Sequence, residues 1–389
     1  MNNGVKNLTT FFLMALLVFG LHQKFQEEAH EKAQRLAERP LFMDELDLQF
    51  NDPLEVDTNP DEIVIAVLDT RIDSNHELLK PWTLDELDVL GHLLSKNFKE
   101  TLSNTLEETD PESLVFLVPA LLEELKAASK KYQEDKSDHG THVAGIIAST
   151  LNKNINFISN PEIPIKILPI RAFWGENEFI TPSLALAESI VQSVDNGAQI
   201  INISGGGYGT NYLEYAALKY AQMHNVTVIV AAGNDGMDLE SHNYEERYYP
   251  CSFNLDNVIC VGSINKKGSP SKFSNWGDYF IDISAPGERI VSSVPKQSVS
   301  SGVSFIWAEM DGTSMATPRV SAVAAIMKNR NPALTPKDIK ELLISTSTKN
   351  RFSQNRFKGI LNAKKALNQS DIRLYFEPLE VLSNPDVSK

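Results

Sequence analysis

Short apolar runs alternate with amphipathic stretches along most of this chain. The runs are continuous and rich in valine and isoleucine, as in strands that are buried on both faces of a parallel sheet. We predict such strands at residues 63–69, 165–173, 200–204, 226–231 and 258–264.

Helical patterns separate several of these strands. In residues 181–198, Thr181 is a suitable cap, Pro182 suits the first helical position, and every fourth residue from Leu186 to Val194 is apolar. Alternating strands and helices predict an α/β protein, a three-layer sandwich around a mostly parallel sheet. In such sheets, functional side chains collect at the carboxyl ends of the strands.

Residues 78–136 interrupt this alternation, and we predict that they form a helical insertion. Thr83 and Glu86 have the spacing of a capping box. The leucines at 87, 90 and 94 then mark one helical face, so a helix is expected to follow the box directly.

An apolar segment, residues 8–21, lies close to the amino terminus. It is shorter than the ~20 residues that span a bilayer comfortably, and it suits the core of a signal peptide; an uncleaved membrane anchor stays open. The protein is therefore expected outside the cytoplasm, as a secreted, periplasmic or anchored protein. The expected parts are a signal peptide or anchor (1–21), a helical or linker segment (22–60), a main domain (61–368) and a carboxyl-terminal tail (369–389).

Composition excludes some partners and leaves one redox question open. The 389 residues include 36 Lys+Arg and 51 Asp+Glu, for a formal net charge of -15. Because this charge repels phosphate backbones and no basic patch compensates, nucleic acid is not an expected partner. Cys251 and Cys260 are either disulfide-bonded, as export would permit, or two reduced core residues.

Three residues of complementary chemistry stand at the ends of predicted elements. Asp69 ends the first strand, His139 lies in the glycine-containing segment DHGTHVAG, and Ser314 opens the last long helix within DGTSMATP. An imidazole can take the proton of a serine hydroxyl, and a carboxylate can hold the tautomer of the imidazole. Each residue alone is more often a cap or turn residue, so only their combination indicates a nucleophilic site.

The four segments IAVLDTRID, DHGTHVAGIIAST, VAAGND and DGTSMATPRVSAVAA together resemble the motifs of the subtilisin-like serine proteases, the subtilases. This resemblance implies a subtilisin-like fold, with the catalytic domain in residues 61–368. It also implies that Asp69 orients His139, that His139 is the general base, that Ser314 is the nucleophile and that Asn234 donates to the oxyanion.

The resemblance further implies where a polypeptide substrate binds. Ser204, Gly205 and Gly206 match the segment that pairs with an extended peptide. Ala231, Ala232 and Gly233 match the other wall of the first specificity pocket. Acidic residues stand at positions 240, 245 and 246, so a preference of this pocket for basic substrate side chains stays open.

Three positions depart from the family pattern. Arg71 replaces the usual glycine after the strand-ending Asp-Thr, and Arg319 and Ala322 replace the usual histidine and glycine beyond the nucleophile. None of them removes a catalytic group.

The function that follows is a serine endopeptidase acting through an acyl-enzyme on Ser314, expected to be a monomer. No cofactor is expected to be required, and a structural calcium ion stays open with no ligands assigned. His142 lies close to His139 in sequence, but a buried structural histidine is favoured over a metal ligand. The alternative function is a catalytically weak or inactive peptide-binding protein with a turn distorted at Arg71. An esterase of another α/β class lacks support, because no GxSxG motif is present.

Overall fold

The computed structural model describes residues 60–89, 137–173, 183–209, 211–243, 246–295, 307–349 and 356–370. The strands in these ranges are β1 (Ile63–Asp69), β2 (Ile165–Arg171), β3 (Ala198–Ile203), β4 (Gly207–Tyr208), β5 (Thr227–Ala231), β6 (Tyr248–Tyr249), β7 (Val258–Ile264), β8 (Ile283–Pro286), β9 (Ile290–Ser293) and β10 (Trp307–Met310). The α-helices are α1 (His139–Lys153), α2 (Ser183–Asp195), α3 (Tyr212–Met223), α4 (Thr313–Arg330), α5 (Pro336–Thr346) and α6 (Ala363–Ser370).

The central sheet has six strands in the order β2-β1-β3-β5-β7-β8. Every neighbouring pair in it is parallel, which confirms the predicted parallel sheet. Short antiparallel ladders join β4 to β6 and β9 to β10 outside it. All carboxyl ends of the central strands therefore meet at one edge.

Helices cover both faces of the sheet, as the predicted three layers require. Residues of β1 alternate between two apolar clusters, because successive side chains point to opposite faces. Val64, Ala66 and Leu68 pack with α2 and α3. Ile63, Ile65 and Val67 pack with α1, α4, α5 and α6.

Helix α4 is buried along almost its whole length. It contacts β1, β3, β5, β7 and β8, so it crosses beneath the sheet rather than lying at its margin. Its small residues, among them Ala322, Ala324 and Ala325, are fully buried and permit a close approach to the strands. Because the first turn of α4 lies at the carboxyl edge, the residues that open it are placed beside the strand ends.

The predicted capping box at Thr83 and Glu86 is wrong. The Leu84 N–H donates to the Ile167 carbonyl at 2.8 Å, and the Leu87 N–H donates to the Pro169 carbonyl at 2.9 Å. The segment thus follows the outer side of β2, whose backbone groups would otherwise be unpaired. Thr83 and Glu86 instead bond to the Leu79 carbonyl and the Ile72 N–H. The remainder of the predicted helical insertion, residues 90–136, lies outside the described residues.

Cys251 and Cys260 form a disulfide bond, which settles the alternative left open by their spacing. The bond joins the segment after β6 to the middle of β7. Both cysteines are almost completely buried.

The predicted signal peptide or anchor (1–21), all but the last residue of the predicted helical or linker segment (22–60) and most of the predicted tail (369–389) lie outside the described residues, as do Thr181 and Pro182. Among the helices that are described, none combines the length and apolar character needed to cross a membrane.

One glutamate is buried in the helical layer formed by α2. Glu188 is 0% exposed, its Oε1 accepts a hydrogen bond of 2.7 Å from Gln192 Nε2, and its Oε2 has no partner in the described part of the chain. Burial raises the pKa of Glu188 to about 7, although the bond from Gln192 opposes this rise.

Glu188→Gln should make the protein less sensitive to alkaline pH. The raised pKa of Glu188 gives a contribution to stability that is complete below the unfolded pKa near 4.5 and is lost as the pH rises through about 7. Between pH 5 and pH 8, the unfolding free energy of the native protein should therefore fall by about 2 to 3 kcal/mol more than that of the variant. Urea unfolding at both pH values measures this, with Glu246→Gln at an exposed glutamate as control. Equal pH dependence in the native protein and Glu188→Gln would contradict it.

Candidate active site

Asp69 and His139 are joined where β1 ends and α1 begins. His139 Nδ1 lies 2.7 Å from Asp69 Oδ1, and the Asp69 carboxylate is buried. Asp69 Oδ1 also accepts the Thr70 N–H at 2.7 Å, and Thr70 Oγ1 accepts the Gly140 N–H at 2.9 Å. Because a carboxylate only accepts, Nδ1 carries the hydrogen, which leaves Nε2 as the nitrogen that can exchange a proton.

Ser314 lies in the first turn of α4 and is tied to the end of β3. Its Oγ donates to the Ser204 carbonyl at 2.8 Å, and Ser204 Oγ donates to the Ser314 carbonyl at 3.1 Å. The second bond has a local cause in the sequence. Pro318, four residues after Ser314, has no N–H, so the Ser314 carbonyl lacks its usual helical donor. The hydroxyl of Ser204 takes the place of that donor.

Two more buried side chains extend this junction. Asn202 Nδ2 donates to Ser204 Oγ at 2.9 Å, and Ser321 Oγ donates to Asn202 Oδ1 at 2.8 Å. All residues of this hydrogen-bond network are buried, so the loss of any one side chain would leave a buried polar group without a hydrogen-bond partner. The network therefore holds the start of α4 against β3.

Asn234 follows β5 and is held by the residue before Ser314. Asn234 Oδ1 accepts two bonds of 2.9 Å, from the N–H and the Oγ1 of Thr313. Thr313 Oγ1 in turn accepts the Gly233 N–H at 3.2 Å. Because two donors engage Oδ1, the Nδ2 group is the part of this exposed amide that can donate a hydrogen bond.

The pairing of the strands brings these groups to one place. Leu68 of β1 pairs with Ile203 of β3, so Asp69 and Ser204 are the next residues on two neighbouring strands. Neighbouring strands lie about 4.8 Å apart. The Asp69–His139 pair and the Ser204–Ser314 pair thus lie side by side at the carboxyl edge, and β5 delivers Asn234 on the other side of β3.

The electrostatics of this edge favour a negative charge at the start of α4. The first N–H groups of a helix, including that of Ser314, have no acceptor within the helix, and the helix dipole is positive there. The arrangement can therefore stabilise an oxyanion that forms beside Ser314.

His142 has the contacts of a structural residue. It is fully buried, and its Nε2 lies 3.0 Å from the carbonyls of both Ile290 and Ala308 in the β9–β10 ladder. Burial lowers the pKa of His142 to about 4, which keeps the ring neutral near pH 7. Within the described ranges, no group of three or more His, Cys, Asp or Glu side chains could hold a metal ion.

The predicted substrate-binding residues lie on two segments that follow neighbouring strands. Ser204, Gly205 and Gly206 follow β3; Ala231 ends β5, and Ala232 and Gly233 follow it. Gly233 has φ +93, a conformation that favours glycine, and a side chain there would also meet Asn275 Nδ2 at 2.3 Å.

Sequence reasoning missed three residues of this site. Thr313 orients Asn234 by donating two hydrogen bonds to its Oδ1. Pro318 leaves the Ser314 carbonyl without a helical donor, and the Ser204 hydroxyl donates to that carbonyl instead. The one local signal in the sequence is a proline inside a helical pattern. Tyr248 lies between the two predicted walls, and no signal in the sequence places it there.

The departures from the family pattern leave the candidate catalytic groups in place. Arg71 is exposed, while the neighbouring Asp69 keeps its bond to His139. Arg319 Nε donates to the Pro286 carbonyl at 3.1 Å, and Ala322 is buried in the core.

Known proteins resemble this chain in sequence and in structure. Residues 60–362 match the model of the Subtilase family. The cell wall-associated protease of Bacillus subtilis (strain 168) is 33% identical over 254 residues, which are 65% of this chain and 25% of that protein. The intracellular serine protease of Paenibacillus polymyxa is 32% identical over 279 residues, 72% of this chain and 70% of that protein. The structure of the prenylagaramide maturation protease PagA has a TM-score of 0.54 at 26% identity, over 80% of this chain and 94% of that chain.

The chain belongs to the subtilase family, a hydrolase family whose members named above are proteases. This confirms the family and the fold that the four motifs indicated. The matched region spans only a quarter of the cell wall-associated protease, so most of that protein lies outside the match.

The junction between Ser204 and Pro318 predicts a measurable coupling. Ser204→Ala should lower the unfolding free energy by about 1 to 3 kcal/mol, because the buried Ser314 carbonyl and Asn202 amide lose their partner. Pro318→Ala restores an N–H four residues after Ser314, so Ser204→Ala should cost about 1 kcal/mol less in that background. A double-mutant cycle in urea measures the difference. Strict additivity of the two substitutions would show that Ser204 does not replace the missing donor.

Proposed function

We propose that this protein is a serine endopeptidase that hydrolyses peptide bonds through an acyl-enzyme on Ser314. The observation that carries the proposal is the 2.7 Å bond between His139 Nδ1 and the buried Asp69 at the end of β1, beside the end of β3, where the Ser204 carbonyl accepts a bond from Ser314 Oγ. Membership of the subtilase family supports a polypeptide substrate.

Attack begins when Ser314 Oγ leaves the Ser204 carbonyl and turns towards His139. Nε2 of His139 removes the hydroxyl proton as Oγ bonds to the carbonyl carbon of the substrate. Asp69 stabilises the resulting imidazolium through the bond to Nδ1, and it holds the tautomer that keeps Nε2 able to accept the proton.

The oxygen of the attacked carbonyl becomes negatively charged in this step. The Ser314 N–H at the start of α4 and the Nδ2 group of Asn234 are the donors proposed for it. Loss of one such side-chain donor lowers kcat by about 100-fold to 1000-fold, a magnitude that comes from this same family.

Collapse of the tetrahedral intermediate breaks the C–N bond of the substrate. His139 gives its proton to the leaving amine, and the acyl group stays as an ester on Ser314. A water molecule then attacks the ester with His139 again as the base, which releases the carboxylic acid and restores the Ser314 hydroxyl.

The substrate is proposed to bind as an extended strand along Ser204, Gly205 and Gly206. Backbone pairing of this kind requires a close approach of the two main chains. Ala231, Ala232 and Gly233 are proposed to form the opposite wall of the pocket for the residue whose carbonyl is attacked.

The place of action is proposed to be outside the cytoplasm. The disulfide between Cys251 and Cys260 supports an oxidising environment, and one relative is named as cell wall-associated, although another is named as intracellular. The catalytic domain is proposed to extend over residues 61–368, without a required cofactor.

A fluorophosphonate probe tests the nucleophile directly. The native protein should be labelled at close to one probe per chain, because an activated serine hydroxyl attacks phosphorus. Ser314→Ala should abolish labelling, and digestion with mass spectrometry should place the probe on Ser314.

Ser345→Ala is the matched control, because Ser345 lies on α5 and its hydroxyl bonds within that helix. This variant should be labelled like the native protein. A folded native protein that resists the probe would refute the endopeptidase and favour the catalytically weak or inactive peptide-binding alternative.

A further inference from the structure

The ring of Tyr248 lies between the two walls proposed for substrate binding. A side chain added at Gly206 would meet Tyr248 Cε1 at 2.7 Å, and one added at Gly233 would meet Cδ2 and Cγ at 3.1 Å. One edge of the ring thus faces the first wall and the other edge faces the second. These distances leave no room for another side chain between the ring and either backbone.

The position of Tyr248 is fixed by its own backbone. Strand β6, which contains Tyr248, pairs with β4 directly after Gly206, and Tyr248 stands opposite Tyr208 in that ladder. The Tyr248 carbonyl accepts the Ser252 N–H at 3.0 Å. The disulfide at Cys251 then holds the following segment to β7.

A second aromatic side chain packs against Tyr248. The rings of Tyr208 and Tyr248 meet edge to face at 5.5 Å between centroids. The Tyr208 hydroxyl donates to the carboxylate of Asp235, the residue after Asn234. This contact links the segment after the first wall to the segment after the second.

The acidic residues of the neighbouring loop do not turn towards this space. Glu240 Oε1 accepts the Tyr279 N–H at 2.7 Å, and the Glu240 side chain packs against Gly277. Glu246 is exposed, and Glu245 lies outside the described residues. The groups placed against the two walls thus include the Tyr248 ring, glycine backbone and the Asn275 amide, whose Nδ2 donates to the Ala232 carbonyl at 2.9 Å.

We propose that Tyr248 restricts cleavage to peptide bonds that follow a small residue: glycine, alanine or serine. This inference rests on the proposed endopeptidase function, because the walls at Gly206 and Gly233 border a substrate pocket only in that case. A large side chain would enter only if the ring moved, and such a movement would disturb the β4–β6 ladder and the contact with Tyr208. A small side chain fits above the ring without any movement.

The test compares peptide p-nitroanilides that differ only in the residue before the scissile bond, alanine, phenylalanine or lysine. The native enzyme should have a kcat/KM at least about tenfold higher for alanine than for phenylalanine or lysine, the discrimination expected when steric fit alone differs. Tyr248→Gly should raise the ratio of phenylalanine to alanine at least about tenfold. Tyr248→Phe keeps the ring and should keep the native ratio.

Two further measurements separate the ways in which the test could fail. Fluorophosphonate labelling of each variant reports an assembled catalytic site: an unlabelled native enzyme overturns the proposed function itself. A labelled native enzyme that prefers phenylalanine or lysine, or a labelled Tyr248→Gly variant with an unchanged ratio, overturns only the role of Tyr248. If Tyr248→Gly does not fold, the native enzyme alone decides the question. Mass spectrometry identifies the bonds that it cleaves in an unfolded substrate protein, and cleavage after large residues contradicts the proposal.

Discussion

The structure depends on one constraint: helix α4 must begin at the carboxyl edge of the sheet while it runs buried beneath the strands. A buried helix start has N–H and carbonyl groups that need partners, and Pro318 adds one more unpaired carbonyl at Ser314. The ends of the strands supply what is missing. Ser204 after β3 bonds to the Ser314 carbonyl, and Asn234 after β5 bonds to the first N–H of the helix. The same contacts that stabilise the helix start therefore position the candidate nucleophile and the candidate oxyanion donor.

The remaining groups are placed by the rigidity of the parallel sheet. Asp69 is the last residue of β1, and the Gly140 N–H in the first turn of α1 donates to Thr70 Oγ1, which holds the neighbouring His139 beside the end of β1. Asp69 thus ends a strand, and His139 and Ser314 each lie in the first turn of a helix. In the described structure the Ser314 hydroxyl donates to the Ser204 carbonyl, so the proposed reaction requires it to rotate towards His139 when a substrate binds.

Most of the fold followed from local patterns, and the exceptions have physical reasons. The bounds of β1 and β7 were predicted correctly because continuous β-branched runs are typical of strands covered on both faces. Thr83 to Leu87 was predicted to begin a helix, but the unpaired outer side of β2 imposed an extended path that no local pattern signals. The chemistry of Asp69, His139 and Ser314 indicated a nucleophilic site, but only the family motifs predicted a role for each of them and for Asn234. The roles of Thr313, Pro318 and Tyr248 needed the geometry, because they arise from contacts between distant segments.

A crystal structure of the protein with a peptidyl boronic acid tests most directly the claim that these groups form one catalytic centre. The account predicts a covalent bond from boron to Ser314 Oγ, with one boronate oxygen within hydrogen-bonding distance of Asn234 Nδ2 and of the Ser314 N–H. His139 Nε2 should contact the other boronate oxygen while Nδ1 keeps its bond to Asp69. A boronate bound elsewhere, or a Ser314 hydroxyl that remains on the Ser204 carbonyl in the presence of saturating inhibitor, would contradict the account.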